Sequence, residues 1–462
     1  MDTTRYIHVR QMGCTGTASP ELGGIAHFPR ECACAAPVLV FLIGASTTTL
    51  VHAQTAPDSS ESLSLRCNPR LAPYLASLNL LPTTAGVPGA LIPDDPLSAA
   101  NASVKEALLE CGFSYTLFQS FGMSVTPSRV RDPAIGGLWA GQGFGFLEVF
   151  DHSREGGSAG WVSAEINWVT GLGGSVENED PSARIGTASQ PQGLLVGDGF
   201  WIAELAWQQS FFEGTVVATV GMIDQQNYID VNSFANNQFT QLMANPFVNS
   251  QVIAAQPQGL GFNLAWQPAE WFYALYGSFT TASTPGSAPF ANLSTAQWAN
   301  QLEFGFITQD LMGLGRNVFR VQPFVATVED VTSGGVGFNI EQGLGGAGAP
   351  LGWFGRFGVC NPDVAVNGFA TEIATGIAWE SASDPERLVV SEADRWALGF
   401  FWGRPAEAGT YLPDEYGVEL MYSVQITPTL SLRPDIQMIW TAGNSAAAEP
   451  ATVFQLQATI VW

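Results

Sequence analysis

Thr452-Val-Phe-Gln-Leu-Gln-Ala-Thr-Ile-Val-Trp462 decides the fold. Thr452, Phe454, Leu456, Ala458, Ile460 and Trp462 fall on one side of an extended chain; Val453, Gln455, Gln457, Thr459 and Val461 fall on the other. Side chains that change face at every residue describe a β-strand with one apolar face. Upstream the same period of two gives strands at 116–125, 143–150, 159–169, 199–208, 215–224, 259–267, 271–280, 298–308 and 317–328. It continues at 335–342, 352–359, 370–379, 395–403, 416–426, 429–440 and 452–462, sixteen in all. These lengths are those that a tilted strand needs to cross a bilayer. Short connections (209–214, Pro268-Ala269-Glu270, Thr427-Pro428) alternate with long ones (170–198, 225–258, 281–297), the asymmetry of an outer-membrane barrel. One connection, 380–394, is long where a short turn is due. Trp201, Trp207, Trp266, Trp271, Tyr273, Trp396 and Trp402 lie toward strand ends, where interfacial aromatics are expected.

Composition agrees. Of 462 residues 46% are hydrophobic and 13% charged, against about 25% charged in a soluble domain. Past residue 53 there is no apolar run of the ~18 residues a membrane helix requires. Hydrophobicity comes in short alternating pieces among 50 Gly and 28 Pro. That is the profile of an all-β transmembrane antiparallel barrel, with a soluble sandwich or propeller as the competing reading. The net charge of −24, with Lys105 the only lysine, argues against nucleic acid as a partner.

The N-terminal part reads differently. Residues 35–46 form a short apolar stretch, followed by Val51-His52-Ala53 with small residues where a signal peptidase cuts. Residues 1–53 therefore read as a signal peptide, the alternative being a buried helix. Residues 54–66 are a polar linker, and Leu97–Glu110 reads as a short helix behind Asp94-Asp95-Pro96. The segment 54–115 is expected on the periplasmic side as a plug or spacer before a barrel spanning 116–462. Cys67 and Cys111 could form a disulfide in an oxidising periplasm or stay unpaired; Cys360 has no obvious partner.

Two stretches resemble the OprB family of carbohydrate-selective porins. One runs from Glu204-Leu-Ala-Trp-Gln-Gln-Ser-Phe-Phe-Glu-Gly214 through Tyr228-Ile-Asp-Val-Asn-Ser-Phe-Ala-Asn-Asn-Gln238 to Asn249. The other is Glu415-Tyr-Gly-Val-Glu-Leu-Met-Tyr-Ser-Val-Gln-Ile-Thr-Pro-Thr-Leu-Ser-Leu-Arg-Pro-Asp-Ile-Gln-Met-Ile-Trp440, a strand, a Thr-Pro turn and a strand with Pro-Asp-x-Gln. Phe338-Asn-Ile-Glu-Gln342 and Trp353-Phe-Gly-Arg-Phe-Gly358 are similar to further family segments, so the resemblance covers roughly 140–462. It implies a sixteen-stranded channel for sugars in the bacterial outer membrane, among lipid and lipopolysaccharide. The C-terminal Trp462 would be read by the barrel assembly machinery, and a homo-oligomer is possible in such a family.

The lumen of a sixteen-stranded barrel must be narrowed if it is to select. Loop 225–258 is the candidate constriction, the other reading being an outer surface loop. It carries Tyr228, Asp230, Asn232, Asn236, Asn237 and Gln241 and follows Asp224; amides donate to and accept from sugar hydroxyls alike. Parity points Glu204, Gln208, Arg320, Gln322, Arg356, Glu419, Gln425, Arg433, Asp435 and Gln437 inward, because a mid-strand arginine on the lipid face costs about 2–4 kcal/mol. Enzyme signals are poor. Only His152 follows the leader, which leaves no histidine-based zinc cluster or triad pair. The glycine strings at 171–174 and 343–349 lack the lysine or helix start of a phosphate loop. Glu177-Asn-Glu-Asp180 reads as a solvated loop ahead of a calcium site, so no metal or cofactor is expected. The function expected is passive sugar diffusion, with a cation-leaning general porin and a structural or adhesive barrel as alternatives.

Overall fold

The computed structural model describes residues 90–110, 113–126, 134–150, 160–171, 182, 185–192, 199–212, 214–254, 258–281, 297–328, 331–346, 350–361, 368–379, 394–406, 413–440 and 450–461. The leader, Cys67, Cys111, the 177–180 run and Trp462 lie outside the described residues. Helix α1 (Pro96–Glu110) precedes sixteen strands: β1 Phe113–Thr126, β2 Ala134–Phe150, β3 Gly160–Gly171, β4 Gly199–Phe211, β5 Val216–Ile223, β6 Gly259–Ala269, β7 Phe272–Thr280 and β8 Trp298–Thr308. There follow β9 Asn317–Val328, β10 Val331–Gly343, β11 Leu351–Cys360, β12 Phe369–Trp379, β13 Arg395–Pro405, β14 Glu415–Gln425, β15 Leu430–Trp440 and β16 Ala451–Val461. Every strand is antiparallel to its sequence neighbours, and β1 pairs with β16 from Phe118↔Val461 to Val125↔Phe454, which closes the barrel. Closure leaves no edge, so each backbone group in the wall finds its partner without water.

All sixteen expected strands are present, including those near 335–342 and 370–379, and α1 begins one residue before its expected start. Strand β2 starts at Ala134 rather than 143, since Gly-rich Ala134–Gly143 shows no alternation, yet it pairs with β1 from Thr126↔Ala134 onward. Glu204 is inward for a reason that simple parity misses. Phe200 and Ile202 are exposed on the outer face, as are Leu205 and Phe211 beyond. The register against β3 steps from Glu165↔Glu204 to Ile166↔Ile202, so Ala203 is an extra residue that reverses the facing of everything after it.

Outward side chains form the apolar surface. Leu420, Leu432, Met438, Phe454 and Leu456 are all exposed, while Glu419, Arg433, Gln437, Gln455 and Gln457, beside them in sequence, are buried inside. A belt of rings crosses adjacent strands: Trp266 to Phe272 (6.2 Å between centroids), Phe272 to Phe306 (5.4 Å), Phe306 to Phe319 (6.4 Å) and Phe319 to Phe338 (6.3 Å). Two aromatics expected in that belt point inward instead. Tyr273 donates its hydroxyl to Glu303 (2.6 Å). Trp201, ahead of the bulge, packs on an internal cluster of Phe118, Val169, Phe239 and Met243. Helix α1 does not plug the lumen: it lies against Tyr115, which faces outward from β1 because Phe118, three residues on, stacks on the internal Phe239.

Candidate functional site

The β5–β6 loop folds into the barrel. From Asp224 it makes a 3-10 turn (Gln225–Asn227), runs across the lumen, and carries a short helix, α2 (Asn245–Val248), before returning to β6. Its centre is packed tightly: Tyr228, Ile229, Asp230, Asn232, Ala235, Leu242, Phe247, Val252 and Ile253 are each at most 1% exposed. The wall makes room for it with glycine. A Cβ on Gly352 would sit 2.0 Å from the Phe234 ring and one on Gly399 2.6 Å from the Phe247 ring, so only hydrogen fits at these positions. Phe247 also meets Phe354 and Phe401 edge-on at 6.0 and 5.8 Å.

Asp230 and Arg356 form the hub. The guanidinium donates from Nε to Asp230 Oδ2 (2.8 Å), from Nη1 to the Phe247 carbonyl (2.7 Å), and from Nη2 to the carbonyls of Ala235 (2.7 Å) and Asp230 (3.0 Å). Both side chains are fully buried. Asp230 Oδ2 also accepts from the Ser250 amide (2.6 Å) and Oδ1 from Asn339 Nδ2 (2.6 Å), while the Asp230 amide donates to Glu303 (3.0 Å). These bonds hold Asp230 in a left-handed backbone (φ 67°), which Asp tolerates better than most residues. With the Val248 carbonyl, also reached from Nη2 (3.2 Å), one arginine thus gathers four loop carbonyls and a carboxylate into a single arrangement, the planar fork suiting it to that work.

Around the hub, inward carboxylates receive backbone N–H groups of the loop. Glu341 accepts from Ser233 (2.7 Å), Glu372 from Gln251 (2.8 Å), and Glu419 from Met243 (2.5 Å) and Ala244 (2.9 Å). On the far side Arg433 donates to the carbonyls of Gln238 and Gln241 and to Gln457. A second inward piece, 185–192 of the β3–β4 connection, is held likewise: Glu415 accepts from the Ala188 (2.7 Å) and Ser189 (3.0 Å) amides, and Gln437 donates to the Pro191 carbonyl (2.7 Å). Hydrogen bonds to charged groups are worth roughly 1.5–3 kcal/mol each, so several together fix the loop firmly.

The expected site residues fall into three groups. Near the loop's start, Glu204 accepts from Ser163 (2.6 Å) and Tyr228 (2.7 Å), Gln208 donates to Tyr228 (3.1 Å), and Asp224 caps the 3-10 turn through the Gln226 amide (3.0 Å). In the middle, Asn232 joins Asn339 (2.8 Å), Arg320 reaches Tyr273 (2.9 Å), and Gln322 donates to Glu303 (2.7 Å), beside Asp230 and Arg356. At the far end Glu419, Arg433, Asp435 and Gln437 lie on β14 and β15. Gln241 ties the loop to itself, accepting from the Asn236 (2.7 Å) and Asn237 (2.9 Å) amides. Most of these groups are buried between wall and loop and act as anchors; Asn236, Asn237 and Gln425 are half-buried. Glu303, Asn339, Glu341, Glu372 and Glu415 complete the set and were not singled out from sequence, although the alternation that assigned Glu419 inward applies to the first four equally. Among the described residues no group of three His, Cys, Asp or Glu could hold a metal ion.

Comparison with known proteins gives the same picture. The solved high-pH structure of Pseudomonas putida OprB matches with a TM-score of 0.62 at 16% identity, over 78% of this chain and 96% of that one. The low-pH structure of the same protein gives 0.48 at 15% identity over the same shares, and Acinetobacter baumannii OccAB3 gives 0.45 at 10%, over 76% and 99%. No curated protein matches in sequence. Residues 333–462, from within β10 to the end of β16, match the family model described as carbohydrate-selective porin, OprB family, on a barrel whose fold is similar to that of Pseudomonas putida OprB.

Proposed function

We propose that this chain is a passive outer-membrane channel for mono- or oligosaccharides, narrowed by the β5–β6 loop. One observation carries the proposal: the strands that match the carbohydrate-selective porins supply most of the loop's anchors, namely Asn339, Glu341, Arg356, Glu372, Glu419 and Arg433. A channel needs no covalent step and no energy input, so its chemistry is hydration and hydrogen bonding along the path. The amides that the packed loop leaves half-buried, Asn237 and Gln238 among them, offer weak, exchangeable partners to hydroxyl groups. The apolar outer face suits lipid and lipopolysaccharide, and the barrel assembly machinery at Trp462 and a homo-oligomer complete the reading. Planar-bilayer recording tests it: sugar added to one side should reduce ion current in a concentration-dependent, saturable way. Current indifferent to every sugar tried would leave a general pore, and a reversal potential strongly favouring cations would assign it to cation passage.

A further inference from the structure

The segment before β1 is built inside out. Leu91 and Ile92 donate their amides to the carbonyls of Gln425 and Ile426 (3.1 and 2.8 Å), extending the β14–β15 hairpin at its turn. Asp95 accepts from both threonines of that turn, Thr427 (2.9 Å) and Thr429 (2.6 Å). Helix α1 then reaches the outer face of β1, where Asn101 accepts from the Tyr115 hydroxyl (2.8 Å) and Lys105 lies 5.1 Å from the centre of the Tyr115 ring. The chain therefore bridges β14–β15 to β1 across the seam where the first and last strands meet. In water a docked helix buries its apolar stripe and exposes its polar side. Here Asn101 and the 4%-exposed Lys105 face the barrel, while Leu91, Ile92, Leu97 and Val104 point away, 45%, 52%, 54% and 43% exposed. Leu97 and Val104 are seven residues apart, two helical turns, and so share a stripe. Burial pushes the Lys105 ammonium down to about 8, as expected of a cation held away from water. On β1 the outward Phe121 and Met123, 42% and 44% exposed, continue the apolar surface from Tyr115 along the lipid-facing wall.

We infer that Leu91–Glu110 is an interfacial strap whose Leu91, Ile92, Leu97 and Val104 side chains sit in the lipid boundary at the turn end of the barrel, covering the β1–β16 seam. A group of apolar side chains facing away from the protein is favoured where the surroundings are apolar, and the strap continues the apolar outer wall. This rests on the outer-membrane reading. The test uses the full chain with its native cysteines replaced by serine and single spin labels at Ile92→Cys, Leu97→Cys, Val104→Cys, Ser103→Cys and Phe121→Cys. Each is reconstituted in phosphatidylethanolamine–phosphatidylglycerol vesicles and checked for heat-modifiable gel mobility. Labels at 92, 97 and 104 should be more accessible to oxygen than to a water-soluble nickel chelate, as at 121, with the order reversed at 103. Nickel access at 92, 97 and 104 equal to that at 103, with 121 still oxygen-favoured, would overturn the strap alone. Nickel access at 121 as well would overturn the membrane barrel and the strap with it.

Discussion

The two faces of the same strands follow opposite rules. Along β14 and β15, Leu420, Leu432 and Met438 face out, and any apolar side chain of similar size would serve, because lipid makes no directional demand. One residue away, Glu419 and Arg433 face in, and each takes up backbone groups of a loop 176 and 195 positions distant in sequence. The outer face is specified by class and the inner face by identity. Substitutions should therefore be tolerated outside wherever apolarity is kept, and inside hardly at all.

The largest effect is expected at the hub. Arg356→Met keeps the bulk but leaves Asp230 buried without its cation, a change worth about 3–5 kcal/mol. The loop should become cleavable by added protease in detergent while the barrel keeps its heat-modifiable mobility, and Asp230→Asn in the same chain should recover part of the loss. Next comes the outer face: Leu456→Arg should cost about 2–4 kcal/mol at mid-membrane and lower the folded yield in vesicles on a cold gel, whereas Leu456→Met should leave it unchanged. Equal yields for the two would break the contrast. Gly352→Val drives a side chain into the Phe234 ring, and overpacking of this kind costs about 1–3 kcal/mol; protease sensitivity limited to the loop would sharpen it. The smallest effect lies outside the wall. Burial disfavours the Asp95 carboxylate, but hydrogen bonds from Thr429, Thr427 and the Leu97 and Ser98 amides outweigh that and hold its pKa below the usual value. Its folded pKa being the lower one, its contribution is present above the ordinary carboxylate range and lost as pH falls through the folded value. Asp95→Ala should weaken strap docking by about 1 kcal/mol near neutral pH and make no difference in strong acid, read as label mobility at Leu97→Cys.

Much of this was legible from alternation. Period-two patterning found all sixteen strands, because lipid on one side and water on the other favour it in the wall, although it missed the Gly-rich first part of β2, Ala134–Gly143. It failed at Ala203, where an inserted residue changes the facing without changing composition, and at Trp201 and Tyr273, whose rings suit an interface or a packed interior equally well. Partners were not legible at all. That Glu303, Glu341 and Glu372 hold amides of the β5–β6 loop, and Glu415 those of Ala188 and Ser189 in the β3–β4 connection, depends on where these long loops run, and no local pattern encodes those paths. Nor does the helical pattern of 97–110 tell which side of the barrel wall it will meet; the polar docked face of Asn101 and Lys105 becomes a signal only once Tyr115 is known to face outward.

Single-channel recording of the native chain beside Arg356→Met tests most directly whether the anchored loop sets the size of the pathway. The native channel should show a small, steady conductance reduced by sugar; the variant should show a larger, noisier conductance with weaker sugar block. Identical conductance and identical block in the two proteins would contradict the account.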